Sequence, residues 1–111
     1  MAGKFEIYKD KRGEFRFRLK ASNGQNILAS EGYKSKSSAM NGVESVMKNA
    51  ATEARFEKKE TKGGQFMFNL KAGNSQVIGT SESYKSESAR DNGIASVMKN
   101  APGAKIDDQT G

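Results

Sequence analysis

With 111 residues, 34% of them hydrophobic and 29% charged, the chain suits one small domain or two very small ones around a modest core. It contains neither Cys nor His, which excludes disulfides, thiolate or imidazole metal sites, and Ser-His or Cys-His nucleophile pairs. A net charge of +6 favours weak contact with polyanions and equally serves solubility, because the basic residues form no long run.

The start, Met1-Ala2-Gly3-Lys4, lacks the apolar stretch of a secretory signal. Gly3 stands one place too late for myristoylation. No segment approaches the roughly 20 apolar residues that cross a bilayer. The expectation is a soluble, cytoplasmic protein with no membrane partner.

Phe5 and Ile7 alternate with Glu6 and Tyr8, a pattern that predicts a strand over 4–10. Phe15, Phe17, Leu19 and Ala21 alternate with Arg16, Arg18 and Lys20, predicting a second strand over 14–21. Between them, Lys11-Arg12-Gly13 suits a three-residue hairpin loop with Gly in the left-handed position. In that register facing residue numbers sum to 24, so Phe5 opposes Leu19, Ile7 opposes Phe17, Glu6 opposes Arg18 and Tyr8 opposes Arg16. Apolar meets apolar, and Glu6 meets its opposite charge.

Ser22-Asn23-Gly24-Gln25 is a turn signal, and a third strand follows over 26–31. Ile27 and Ala29 suggest one inward phase; Asn26 and Leu28 suggest the other. Ile27 is favoured, because Ile78 repeats it while Leu28 becomes Gly79. Ser35 or Ser37 can cap a helix over 36–49, whose apolar stripe is Ala39, Val43, Val46, Met47 and Ala50.

The chain then repeats itself. Shifted by 51 positions, 26 of the 46 residues from Phe5 to Ala50 are identical. Phe56, Gly64, Phe66, Phe68 and Leu70-Lys71-Ala72 recur in step, as do Tyr84-Lys85-Ser86 and Asn92-Gly93. The second copy therefore predicts strands over 54–61, 65–72 and 77–82, and a helix over 87–100. Ser88 with Asp91 resembles a weak capping box, the matching stripe is Arg90, Ile94, Val97, Met98 and Ala101, and Pro102-Gly103 ends the helix. Ala104-Lys105-Ile106 looks like a further strand entry, with Ile106 in the place of Phe56. Repeat one then covers 1–53 and repeat two 54–106, with 107–111 a polar, disordered tail. Two copies are too few for a solenoid, so a pseudo-symmetric pair sharing one core is expected.

Gly42 and Gly93 stand in mid-helix, where Gly costs about 1 kcal/mol relative to Ala. Either they admit another backbone, in helix-on-sheet or helix-on-helix contact, or the duplication is recent. Asn41, Ser45, Lys48 and Asn49 share the opposite helix face and recur as Asn92, Ser96, Lys99 and Asn100. They form either a doubled recognition surface or a solvated face whose Asn ties down a loop.

Leu19-Lys20-Ala21, Ser30-Glu31-x-Tyr33 and Asn41-Gly42-Val43-x-Ser45-Val46, each with its counterpart 51 residues on, together resemble the YegP-like family of small bacterial proteins of unknown function. The resemblance covers essentially the whole chain. It implies an α+β fold of two tandem β-β-β-α-β repeats related by a pseudo-two-fold. The expected sheet is antiparallel and carries two helices, with the last strands exchanged between repeats. It implies no catalytic residue.

Three functions are in play. The first is a non-enzymatic binding or self-associating module using a sheet edge or the helix faces at Asn41, Lys48, Asn92 and Lys99, with a protein partner or a second copy. The second is weak binding of single-stranded nucleic acid on the outward hairpin face of Tyr8, Arg16, Arg18 and Lys20, which Glu6 and the change to Met67 and Asn69 in the second copy weaken. The third is an enzyme working through lysine or carboxylate alone. No metal or other cofactor is expected.

Overall fold

The computed structural model describes residues 3–110. Its elements in chain order are strands β1 (Lys4–Lys9), β2 (Phe15–Lys20) and β3 (Asn26–Ala29), helix α1 (Lys36–Asn49), a 3-10 turn (Glu53–Arg55), strands β4 (Phe56–Glu60), β5 (Phe66–Lys71) and β6 (Val77–Thr80), helix α2 (Glu87–Asn100) and strand β7 (Lys105–Asp108). The strands form one seven-stranded sheet in the order β4-β5-β6-β3-β2-β1-β7. Every pairing is antiparallel except β1 with β7. Neither helix is long and apolar enough to cross a membrane.

The hairpin register follows from alternation. Phe5 pairs with Leu19, Glu6 with Arg18, Ile7 with Phe17 and Tyr8 with Arg16. Phe5, Ile7, Phe17 and Leu19 are fully buried in the core. The loop closes as its chemistry demands: Gly13 sits at φ +82°, and the Asp10 carboxylate accepts from the Arg12 and Glu14 amides at 2.9 and 3.0 Å.

The repeats meet at β3 and β6, where Ala29 pairs with Thr80. Here the expected phase of the third strand needs correction. Both Ile27 and Leu28 are buried, and Leu28 is the one that faces Leu19 across the β2–β3 ladder, which is irregular next to this pair. A Cβ on Gly79 would lie 2.5 Å from a Leu28 methyl. Equivalent positions of the two copies thus compete for one space beside the pseudo-axis. A leucine in one copy requires almost nothing in the other, and the change from Leu28 to Gly79 marks this contact rather than exposure.

Each helix bridges that seam. α1 packs on β2 of its own repeat and on β5 and β6 of the other; α2 packs on β5 and β3. The buried residues of both repeats form a single apolar cluster. The N-caps are Ser35, which accepts from the Ser38 amide, and Ser86, which accepts from the Ala89 amide. Ser88 is therefore inside α2 and is not its cap. Arg90 fits the apolar stripe in place of Ala39 because its guanidinium lies 5.5 Å over the Phe66 ring and bonds Asp91.

What comes close to the helix glycines is an aromatic ring, not a backbone. A Cβ at Gly42 would meet the Phe17 ring and the Tyr33 hydroxyl, each at 2.8 Å; at Gly93 it would meet the Tyr84 hydroxyl at 2.6 Å. Tyr33 stacks on Phe17 at 6.2 Å, and Tyr84 on Phe68 at 6.5 Å. The glycines make room for two stacked pairs between helix and sheet.

Strand exchange is visible at both ends. The chain leaves α1 for β4, which pairs with β5 of the second repeat, and leaves α2 for β7, which pairs with β1 of the first. Ile106, however, does not take the place of Phe56. It pairs with Phe5 and is 41% exposed, whereas Phe56 is 9% exposed. In the first repeat β1 already fills the position that β4 fills in the second, so only the outer edge of β1 remains. Asp107 and Asp108 consequently belong to β7 rather than to a loose tail. Lys4 reaches Asp107 at 3.6 Å, Lys36 pairs with Asp108, and the Gln109 amide donates to the Ile7 carbonyl at 2.8 Å. Gly111, the end of the expected tail, lies outside the described residues.

Two predictions follow from this packing. Replacing Gly42 by Ala recovers about 1 kcal/mol of helix propensity but overpacks the ring pocket by about 1–3 kcal/mol, for a net loss of about 1 kcal/mol in urea denaturation. Gly63→Ala, with nothing nearer than 4.0 Å, is the control and should stay within about 0.5 kcal/mol of the parent. At the seam, Gly79→Ala should cost about 1–3 kcal/mol alone and little in a Leu28→Ala background. Strict additivity in that double-mutant cycle would show that the two sites do not compete for space.

Candidate functional site

The hairpin residues Tyr8, Arg16, Arg18 and Lys20 do come together on the sheet face opposite the core, but their charges are already engaged. Arg18 donates to Glu6 at 2.7 Å, and its guanidinium covers the Tyr8 ring at 4.5 Å. Lys20 and Lys4 reach the same carboxylate at 3.3 and 3.4 Å, and Arg16 donates to Asp10 at 2.7 Å. The stacking face of Tyr8 is occupied by a guanidinium that is itself bound. In the second repeat the equivalent carboxylate, Glu57, holds Lys71 at 2.8 Å, and Asn69 accepts from the Thr80 hydroxyl.

The helix residues Asn41, Lys48, Asn92 and Lys99 are exposed and line two equivalent grooves. In each, the polar face of one repeat's helix faces the second hairpin turn of the other repeat. The α1 groove, about 560 Å³, is closed by Gly73 and Asn74; the α2 groove, about 290 Å³, is closed by Ser22 and Asn23. Asn49 and Asn100 have a local duty: each amide donates to the carbonyl four residues back, Ser45 or Ser96, at 2.8 Å. Asn100 also accepts from the Ser22 amide at 3.3 Å, so it does tie down a loop, and that loop belongs to the other repeat.

Sequence reasoning missed the opposite walls. Asn23 and Asn74 accept from the amides of Gln25 and Gln76, each at 3.1 Å, giving both turns one shape. The signal was present, since Asn23 with Gln25 recurs as Asn74 with Gln76. Arg55 was missed as well; its guanidinium lies against Gly73 in the α1 groove. The grooves differ in charge. Glu44 lines the first beside Lys48 and Arg55, while Ala95 takes its place in the second beside Lys99.

Glu6 organises the hairpin face electrostatically. It is 3% exposed, and burial alone would raise its pKa; hydrogen bonds from Arg18 and Lys20, with their charges, outweigh that and bring it to about 2. A depressed folded-state pKa gives stability that is present above the ordinary value of 4.5 and is lost as pH falls towards about 2. The contribution is on the order of 3 kcal/mol. Denaturant titrations across that window should show Glu6→Gln less stable than the parent at neutral pH and less sensitive to acid. Parallel losses in both proteins would assign the acid sensitivity to other groups.

Comparison with known proteins places this architecture. The chain matches the domain of unknown function DUF1508 twice, over residues 10–57 and 62–108. A UPF0339 protein from the 5′ region of the ptx operon of Stutzerimonas stutzeri is 67% identical over 106 residues, spanning 96% of each chain. The UPF0339 protein YegP of Escherichia coli K12 is 49% identical, spanning 99% of this chain and all of the relative. The solution NMR structure of E. coli yegP, described as a protein of unknown function, superposes with a TM-score of 0.95 at 50% identity, covering 100% of this chain and 96% of that one. A UPF0339 protein from Shewanella oneidensis superposes with a TM-score of 0.93 at 52% identity, covering 99% and 93%. The chain is thus a two-repeat member of the DUF1508 family, the family of YegP.

Proposed function

We propose that this protein is a small cytoplasmic binding module, not an enzyme, and that it holds a protein partner through its two equivalent grooves. One observation carries the reading. Gly42, Val46 and Ala50 recur because the core needs them, and Ser45 and Asn49 recur with a hydrogen bond between them. Asn41 and Lys48 are exposed and outside the core, yet they recur unchanged while their neighbours Met40 and Glu44 become Asp91 and Ala95. Selection for contact with something outside the chain accounts for that pattern. Absence of Cys and His from the sequence supports binding over catalysis. The neutralised hairpin face gives single-stranded nucleic acid less to hold.

The test uses immobilised full-length protein to capture partners from a lysate of its own organism. The parent and an Arg12→Glu/Lys59→Glu control, at exposed positions that do not recur, should retain the same stoichiometric protein. Lys48→Glu/Lys99→Glu should lose it by about tenfold or more, as reversing two interface charges implies. Equal capture by the groove variant, or no stoichiometric capture at all, overturns the reading.

A further inference from the structure

A further feature lies where β1, β2 and β7 share one end, adjoining the α2 groove at Ser22. Lys20 of β2 stands directly opposite Lys4 of β1, and Lys4 stands opposite Lys105 of β7. Like charges facing each other across strands destabilise a sheet, and here three stand in one row. Places where a chain breaks such a local rule tend to be functional. The buried Glu6 offsets part of the repulsion, pairing with Lys4 and Lys20 from the next outward position on β1. Lys4 also reaches Asp107. Lys105 takes part in none of these pairs.

The row opens onto a crevice of about 510 Å³, within the range of small-molecule sites. Its walls are the three lysines with Gly24, Gly103 and Ser22, and among the described residues no carboxylate lines it. Gly24 and Gly103, with open space where a Cβ would stand, let a ligand approach the main chain closely. Strand spacing puts the backbones of Lys20 and Lys105 roughly 10 Å apart, with Lys4 between them. A single carboxylate matches one of these lysines; a chain of phosphates matches all three. Glu6 fixes Lys4 and Lys20 in place and takes up part of their charge, so Lys105, outside those pairs, supplies the cation that the hairpin face lacks.

We propose that this crevice binds small oligophosphates, one per chain. The second repeat carries Arg55 and Lys71 at the corresponding positions, but among the described residues no strand flanks β4 as β7 flanks β1, so the third cation has no counterpart there. Single occupancy separates this site from the paired grooves, and neither assignment depends on the other.

The experiment titrates the ¹⁵N-labelled full chain with pyrophosphate and tripolyphosphate, and with sodium chloride at matched ionic strength. The expected result is saturable shifts at the amides of Gly3, Lys4, Ser22, Gly24, Gly103 and Lys105, with one equivalent bound and Kd below roughly 1 mM. Lys105→Gln should weaken binding about three- to tenfold, Lys105→Arg should retain it, and Lys62→Gln should leave it unchanged. A hexanucleotide without terminal phosphates should not displace tripolyphosphate at equal phosphate concentration. Shifts reproduced by chloride, indifference to Lys105→Gln, or displacement by the oligonucleotide would each overturn the assignment.

Discussion

The structure depends on the seam where β3 meets β6. A unit of about 50 residues buries so little of its own surface that it is marginal alone. The two repeats resolve this by sharing one sheet and laying each helix across the join. Pairing of β3 with β6 is short, centred on Ala29 and Thr80, so the ladder itself contributes little. The burden falls on side chains above it: Leu28 in the notch left by Gly79, and the valines of both helices in one continuous core. Seam and core are the same apolar body, and separating the repeats would expose it.

Around that body, the differences between the copies track the differences in their surroundings. Ile7 is fully buried beneath the strand pairing that β7 provides; the equivalent residue of uncovered β4 is Lys58, exposed and paired with Asp91 at 3.3 Å. Met40, partly buried against the core, corresponds to that same Asp91. Lysines on an open strand discourage pairing with other chains. This bears on the proposed binding mode, because the open edge of β4 is guarded while the helix grooves are not.

Much of this was legible in one dimension. The first hairpin was readable because Phe5, Ile7, Phe17 and Leu19 alternate with charge, and a register slip of one would expose all four. Both helices begin where serine oxygens cap them, and α2 ends just before Pro102-Gly103. The rest depends on contacts that alternation does not encode. Leu28 and Gly79 look like a lost hydrophobe until they are seen to share one space. β7 offers four residues with one hydrophobe, and its direction depends on which edge is vacant, not on its own pattern. Asn41 and Lys48 stood out by repetition, but the walls facing them sit on turns of the other repeat. Tyr33, filling the space over Gly42, is nine residues away from it in the chain.

The Leu28–Gly79 contact also bears on the history of the fused chain. Symmetric association of two first repeats would press leucine against leucine beside the axis; two second repeats would face glycine with glycine and leave a hole. Neither half is any longer suited to partner its own twin. With leucine on one side and glycine on the other, each half is shaped to fit its counterpart and not itself.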